Sequence, residues 1–136
     1  MNTTLKLSLL IFISILTISC NNKNNSKTDN QLGEIKRISA KEFKEKSESQ
    51  TIIDIRTPRE FEQGAIQGAV NINYFDKTFL DQIAKFDKNT PIYLYCRSGS
   101  RTASASKKLI KLGFTEVNDL EGGIINWARN NYKIVK

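Results

Sequence analysis

The sequence of 136 residues contains no histidine. This absence excludes a catalytic pair of histidine with serine or cysteine, and it excludes any metal site that uses histidine. Cysteine is scarce as well, since Cys20 and Cys96 are the only two in the chain. Two cysteines cannot build a zinc site on their own. We therefore expect no bound metal.

The apolar run at the N-terminus is too short to span a membrane. Residues 7–18 read LSLLIFISILTI, whereas a spanning helix needs roughly 20 apolar residues. The run follows Lys6 and the amino terminus, a layout typical of a secretory signal. Because LTISC then resembles the lipobox of bacterial lipoproteins, we predict lipidation at Cys20, although Thr17 stands where that box usually has Leu, Val or Ile.

This reading predicts a signal and lipoprotein-type segment at residues 1–20. The polar, Asn-rich stretch at residues 21–33 would follow as a flexible tether. We accordingly expect a protein on the periplasmic side of the cell envelope, held at a membrane through its N-terminal lipid anchor. An ordinary cleaved signal and an uncleaved anchor remain the alternatives.

The formal net charge of +7 suits anionic partners in general. The lysines are scattered, without a long basic block or a recognisable nucleic-acid motif, so a lysine-rich solvated surface explains most of the charge. We predict small anionic ligands and no nucleic-acid partner.

Residues 34–136 alternate strand and helix patterns, as in a single domain. Strands are predicted at 34–38, 51–55, 69–73, 91–96 and 115–120, and helices at 39–47, 57–63, 76–86, 101–114 and 124–132. Ser39, Thr57 and Asp76 are the candidate N-caps, and Gly113 closes the fourth helix. Such alternation predicts an α/β fold with a mostly parallel sheet, covered by helices on both faces, in which the strand Tyr93–Tyr95 is central.

Cys96 stands at the carboxyl end of the strongest strand pattern, and open α/β sheets bind ligands beyond that end. The small residues of Ser98–Ser100 allow the backbone N–H groups to curl inward and form an anion nest at a helix N-terminus. Arg97 and Arg101 add full positive charges. These features favour the thiolate, which is the nucleophilic form, although a free cysteine is also commonly a buried filler.

Three motifs resemble those of the rhodanese family. They are CRSGSR (96–101), DIRTPREFEQGAIQGAVNI (54–72) and LEGGIINW (120–127), and together they span nearly all of residues 34–136 in the expected order. One departure is Ala65, where the family often has histidine. The resemblance implies the rhodanese fold and a sulfurtransferase that needs neither a metal nor an organic cofactor.

The resemblance also implies roles for individual residues. Cys96 would be the catalytic cysteine that carries sulfur as a persulfide. The backbone of Arg97, Ser98, Gly99, Ser100 and Arg101 would bind the persulfide and an anionic donor such as thiosulfate. The acceptor would be thiophilic, either a small molecule or a protein thiol.

Other motif residues are expected to be structural. Asp54, Arg56 and Glu60 would form an internal polar network, since charged groups in a covered region need partners. Trp127 and Gly122–Gly123 would be packing and turn residues.

Two other functions remain open from the sequence. A non-enzymatic persulfide carrier or binding module would need the same cysteine. A cysteine phosphatase fits less well, because its signature resembles Cys-x5-Arg and this chain has one residue fewer between Cys96 and Arg101.

Overall fold

The computed structural model describes residues 33–136. The predicted signal, the predicted lipidation site and all but the last residue of the predicted tether at 21–33 lie outside them. Strands and helices alternate strictly along this part of the chain. The elements are β1 (Glu34–Ile38), α1 (Ala40–Lys46), β2 (Thr51–Asp54), α2 (Pro58–Glu62), β3 (Val70–Asn71), α3 (Phe79–Ile83), β4 (Ile92–Tyr95), α4 (Ser100–Lys111), β5 (Glu116–Leu120) and α5 (Gly123–Arg129).

The five strands form one parallel sheet in the order β1-β5-β4-β2-β3. The predicted α/β fold is confirmed, and β4 occupies the central position expected for Tyr93–Tyr95. All four residues of β4 are buried. A central parallel strand is covered on both faces, which is why its sequence is uniformly apolar or aromatic.

Alternate residues of the strands build two separate cores. Ile92 and Leu94 pack with α3 and α4 on one face, and Cys96 belongs to this core. Tyr93 and Tyr95 pack with α1 and α5 on the other face. This division follows from the period of two in a β-strand, and it places the Cys96 side chain on the α4 side of the sheet.

Two predicted helix starts are confirmed by their caps. The Ser39 hydroxyl accepts a hydrogen bond from the Glu42 amide, and Thr57 with Glu60 forms a complete capping box. Each cap satisfies N–H groups that the first turn of a helix would otherwise leave unpaired.

The third helix differs from its prediction over residues 76–86. Asp76 is not its N-cap, because the Asp76 carboxylate accepts from the amide and the hydroxyl of Thr78 and closes a separate turn. The helix begins after Thr78 and ends at Ile83, where the Phe86 amide bonds to the Ile83 carbonyl in a tighter turn. The third strand is also shorter than predicted, with only Val70 and Asn71 paired at the edge of the sheet.

Within residues 33–136, no helix has both the length and the apolar character needed to cross a membrane.

Candidate active site around Cys96

Cys96 directly follows the central strand, and its side chain is fully buried. The Gly99 amide donates a hydrogen bond to Sγ over 3.1 Å. The Cys96 carbonyl accepts from the Ile124 amide at the start of α5. The sulfur is therefore held between the central strand, the loop that follows it and the first turn of α4.

Gly99 makes this loop geometry possible. It has φ of +94° and is the N-cap of the 12-residue helix α4. Glycine adopts such a left-handed conformation without steric cost, whereas other L-residues do so with strain. The turn aims one amide at the sulfur, and the positive end of the helix dipole lies beside it, so both favour negative charge on Cys96.

The loop residues on either side of Gly99 differ in exposure. Arg97, Ser98 and Ser100 are exposed, and Arg101 is half-buried. The structure places the Gly99 amide on the sulfur. Contacts of a bound donor with Arg97, Ser98, Ser100 and Arg101 stay predictions.

Arg101 forms a two-pronged ion pair with Glu60. Its guanidinium nitrogens lie 2.8 and 2.7 Å from the two carboxylate oxygens, and both side chains are mostly shielded from solvent. The Arg101 hydrogen bonds, helped by those from Thr57, lower the pKa of Glu60 from its ordinary 4.5 to about 2, although burial works in the opposite direction. The pair ties the start of α4 to the capping box of α2.

The predicted internal polar network divides into two parts. Asp54 and Arg56 form a buried ion pair with a shortest distance of 2.6 Å, and the same guanidinium donates to the Gly64 carbonyl. Glu60 does not join this pair, because it bonds to Arg101. Asp54 and Arg56 thus have the structural role that the sequence predicts, whereas Glu60 belongs to the frame of the cysteine loop.

Gly123 contributes more than the predicted turn. A Cβ at this position would lie 2.5 Å from the Cys96 carbonyl oxygen and 2.6 Å from the Arg97 carbonyl group. Only glycine allows α5 to approach the cysteine loop so closely. Trp127 packs in the core as expected, and its indole N–H donates to the Lys133 carbonyl.

Sequence reasoning missed two buried polar residues on the Cys96 side of the sheet. The Thr102 hydroxyl lies 3.9 Å from Sγ and donates to the Gly99 carbonyl over 3.0 Å. Asp119, on β5, is 2% exposed. Thr102 could have been noticed because it follows Arg101 in the first turn of the predicted helix. Asp119 gives no such signal, since its burial depends on strands and helices distant in sequence.

A cavity of about 820 Å³ is separate from this site. It lies on the other side of the sheet, where the C-terminal ends of α1 and α5 meet, and Lys44, Trp127 and Tyr132 are among its lining residues. Neither Cys96 nor its loop contributes to it. Across residues 33–136, no group of three or more potential ligand side chains is arranged to hold a metal ion.

Comparisons with known proteins agree with the fold and the motifs. The family model described as Rhodanese-like domain matches residues 39–130. The chain is 38% identical over 88 residues to Thiosulfate sulfurtransferase 16, chloroplastic, of Arabidopsis thaliana, covering 57% of this chain and 73% of that protein. It is 36% identical over 89 residues to a protein named Sulfurtransferase from Allochromatium vinosum, and the match covers 65% of this chain and 81% of that protein.

Among solved structures, the chain is similar to a rhodanese-related protein from Thermoplasma volcanium. The TM-score is 0.67 at 28% identity, and the match covers 74% of this chain and 97% of that one. The family and the names of the relatives support a sulfurtransferase-type function. The chain belongs to the family of rhodanese-like domains.

Proposed function

We propose that the protein moves sulfane sulfur from a small anionic donor such as thiosulfate to a thiophilic acceptor, through a persulfide on Cys96. The observation that carries this proposal is the placement of the buried Cys96 sulfur. It accepts a hydrogen bond from the Gly99 amide at the N-terminus of α4. Such a site favours a thiolate and any anion formed on it.

In the first step, the Cys96 thiolate attacks the outer sulfur of thiosulfate. A new S–S bond forms to Cys96, and the S–S bond of thiosulfate breaks. Sulfite leaves with the bonding electron pair, so the enzyme is left as a persulfide. The Gly99 N–H and the helix dipole stabilise the negative charge that remains near the terminal sulfur.

In the second step, a thiol or another thiophilic acceptor attacks the terminal sulfur of the persulfide. The S–S bond to Cys96 breaks, and its electron pair restores the thiolate. This is covalent nucleophilic catalysis of the ping-pong type. Each step exchanges one nucleophile for one leaving group, so the electrons balance with no further oxidant, reductant or cofactor.

The two arginines of the loop would have different roles. Arg97 is exposed beside Cys96, and we propose that its charge attracts the anionic donor. Arg101 is already bonded to both oxygens of Glu60, so it would chiefly hold the loop against α2.

We also propose that the protein is exported and held at a membrane of the cell envelope, by lipid on Cys20. The support is the sequence layout alone, with an apolar run before LTISC and a polar stretch after it. Cys20→Ser should abolish labelling by a radioactive or clickable fatty acid in growing cells. Labelling that survives this substitution would exclude Cys20 as the lipid site.

Turnover separates the enzyme from a carrier. Full-length protein carrying Cys20→Ser, so that Cys96 is its single thiol, is given thiosulfate and cyanide, and thiocyanate is measured over time. We expect many turnovers per protein, and none for Cys96→Ser, since an alcohol cannot hold sulfane sulfur. One thiocyanate per protein would indicate a carrier, and hydrolysis of phosphate esters without thiocyanate would indicate a phosphatase.

The role of Arg97 has a matched control. Arg97→Ala should raise KM for thiosulfate on the order of tenfold, as for loss of a charge-assisted contact, with little change in kcat. Arg129→Ala removes the same charge from an exposed position in the last turn of α5, and should leave KM unchanged. Equal effects of the two substitutions would show that only the overall charge matters.

A further inference from the structure

Asp119 places a carboxyl group in the core behind the cysteine loop. It pairs in register with Leu94 on the neighbouring strand β4, and Cys96 follows Leu94 by two positions. Neighbouring residues of parallel strands and alternate residues of one strand share a face. The carboxyl of Asp119 and the sulfur of Cys96 therefore lie on the same side of the sheet, beneath α4.

This carboxyl has few partners among the described residues. Its Oδ1 has no hydrogen-bond partner there, although the residue is only 2% exposed. The nearest cation is Arg37 on β1, whose Nε lies 3.8 Å from Oδ2 and whose side chain is 58% exposed. Burial raises the pKa of Asp119, while the Thr102 hydroxyl and Arg37 act in the opposite direction.

Thr102 is the residue that could link Asp119 to the sulfur. Its side chain is fully buried in the first turn of α4, and its hydroxyl is one of the groups that lower the pKa of Asp119. Its oxygen lies 3.0 Å from the Gly99 carbonyl and 3.9 Å from Sγ of Cys96. A hydroxyl has one proton and two lone pairs, so Thr102 could donate to only one of the Gly99 carbonyl, the sulfur and the Asp119 carboxylate at a time.

The protonation of Asp119 would decide which acceptor receives that proton. A protonated carboxyl donates its own O–H to Thr102, and the Thr102 proton stays available to the Gly99 carbonyl or the sulfur. An ionised carboxylate competes for the Thr102 proton and adds a second negative charge near the sulfur. Among the described residues, the charged group that acts on Asp119 is Arg37 from β1, and the titratable thiol on the same face of the sheet is Cys96.

We propose that Asp119 is a positioning residue for sulfur transfer, which acts through the Thr102 hydroxyl to set how readily negative charge forms on Cys96. The inference deepens the proposed function and rests on it. Ionisation of Asp119 opposes the thiolate, and protonation of Asp119 favours it. Sulfur transfer should thus depend on pH through a group that never touches the substrate.

Titration of the Cys96 thiolate tests this inference. The full-length Cys20→Ser protein is titrated by the ultraviolet absorbance of its thiolate. Asp119→Asn supplies an amide that can donate to Thr102 at every pH. We expect the midpoint of thiolate formation to fall by on the order of one pH unit, equal to a tenfold larger thiolate fraction below the midpoint.

A double-mutant cycle then tests the route through Thr102. In a Thr102→Val background the effect of Asp119→Asn should shrink to the part caused by the charge of the carboxylate, because valine has no hydroxyl to relay the rest. Ser106→Ala is the matched control. Ser106 is also a buried hydroxyl of α4, one turn farther along, but unlike Thr102 it has no hydrogen-bond partner in the described region. It should not move the midpoint, even if stability changes.

Several outcomes would overturn the inference. An unchanged midpoint in folded Asp119→Asn excludes the role of Asp119, and an equal shift in the Thr102→Val background excludes the relay. If Asp119→Asn fails to fold, two variants of Thr102 replace it. Thr102→Val should raise the midpoint of thiolate formation, and Thr102→Ser should restore it. Equal midpoints for these two variants would refute the relay. The thiolate titration does not depend on thiocyanate production, so failure of the proposed function and of this inference are distinguishable.

Discussion

Removing the charge of Glu60 should destabilise the protein in a pH-dependent way. Glu60→Gln keeps an oxygen that can accept from Thr57, so the cap of α2 is retained. The substitution loses the ion pair with Arg101, whose two oxygen–nitrogen distances are 2.7 and 2.8 Å. Its effect therefore reports the tie between the cysteine loop and α2.

The magnitude follows from the pKa of Glu60, which falls from 4.5 to about 2 in the folded protein. A change of one in pKa corresponds to about 1.4 kcal/mol. The stability lost in Glu60→Gln therefore has an upper limit of roughly 3 kcal/mol. The side chains of Arg101 and Glu60 are 17% and 21% exposed, and solvent screening reduces the expected loss to about 2 kcal/mol. For a domain of this size, that lowers Tm by roughly 10 °C.

The sign of the pH dependence is fixed by the lowered pKa. The stabilisation from ionised Glu60 is fully present above pH 4.5 and is lost as the pH falls towards 2. Thermal unfolding of wild type and Glu60→Gln, followed by circular dichroism between pH 7 and pH 2.5, should show a difference that shrinks on acidification. Glu42→Gln, which removes an exposed pair with Lys46, is the control and should change Tm little. A difference that stays constant with pH would refute the reasoning.

Three further substitutions test the packing around the site. Gly123→Ala should cost more stability than Gly68→Ala and should slow persulfide formation. Both glycines have positive φ, but only a Cβ at Gly123 would meet the backbone of Cys96 and Arg97. Equal unfolding midpoints and equal rates of persulfide formation in the two variants would contradict this. Asp54→Ala should lower the free energy of unfolding, measured in urea, by about 3–5 kcal/mol, because the buried Arg56 guanidinium loses its carboxylate partner. A loss below about 1 kcal/mol would count against a buried pair. Tyr95→Phe should lower the free energy of unfolding by about 1–3 kcal/mol, because the Ile66 amide loses its acceptor. Tyr93→Phe should lower it less. The reverse order of the two variants in thermal unfolding would exclude a stabilising hydrogen bond to Tyr95.

Features set by neighbouring residues were predictable from the sequence. The caps at Ser39 and Thr57 depend on contacts three residues apart, and the central strand follows from an unbroken apolar run before Cys96. The turn at Gly99 follows from a strand that ends and a helix that begins within four residues. Local chemistry alone determines these elements.

Features set by the assembled sheet were not predictable in the same way. Arg101 and Glu60 are 41 positions apart, so their pairing depends on how α2 and α4 meet at one end of the sheet. Asp119 lies in a short strand next to another polar residue, Asn118, and it is buried only when β5 pairs between β1 and β4 and α4 packs against the sheet. The close approach of Gly123 to Cys96 likewise requires the strand order, which the alternation of strand and helix patterns does not specify.

The mass of the protein after incubation with thiosulfate tests the persulfide on Cys96 most directly. The full-length Cys20→Ser protein is incubated with thiosulfate, freed of excess donor and weighed by intact-protein mass spectrometry. We expect a gain of one sulfur atom that cyanide removes as thiocyanate, and no gain for Cys96→Ser. An unchanged mass with thiosulfate and with other sulfane donors, in folded protein with a reduced Cys96, would contradict sulfur transfer through this cysteine.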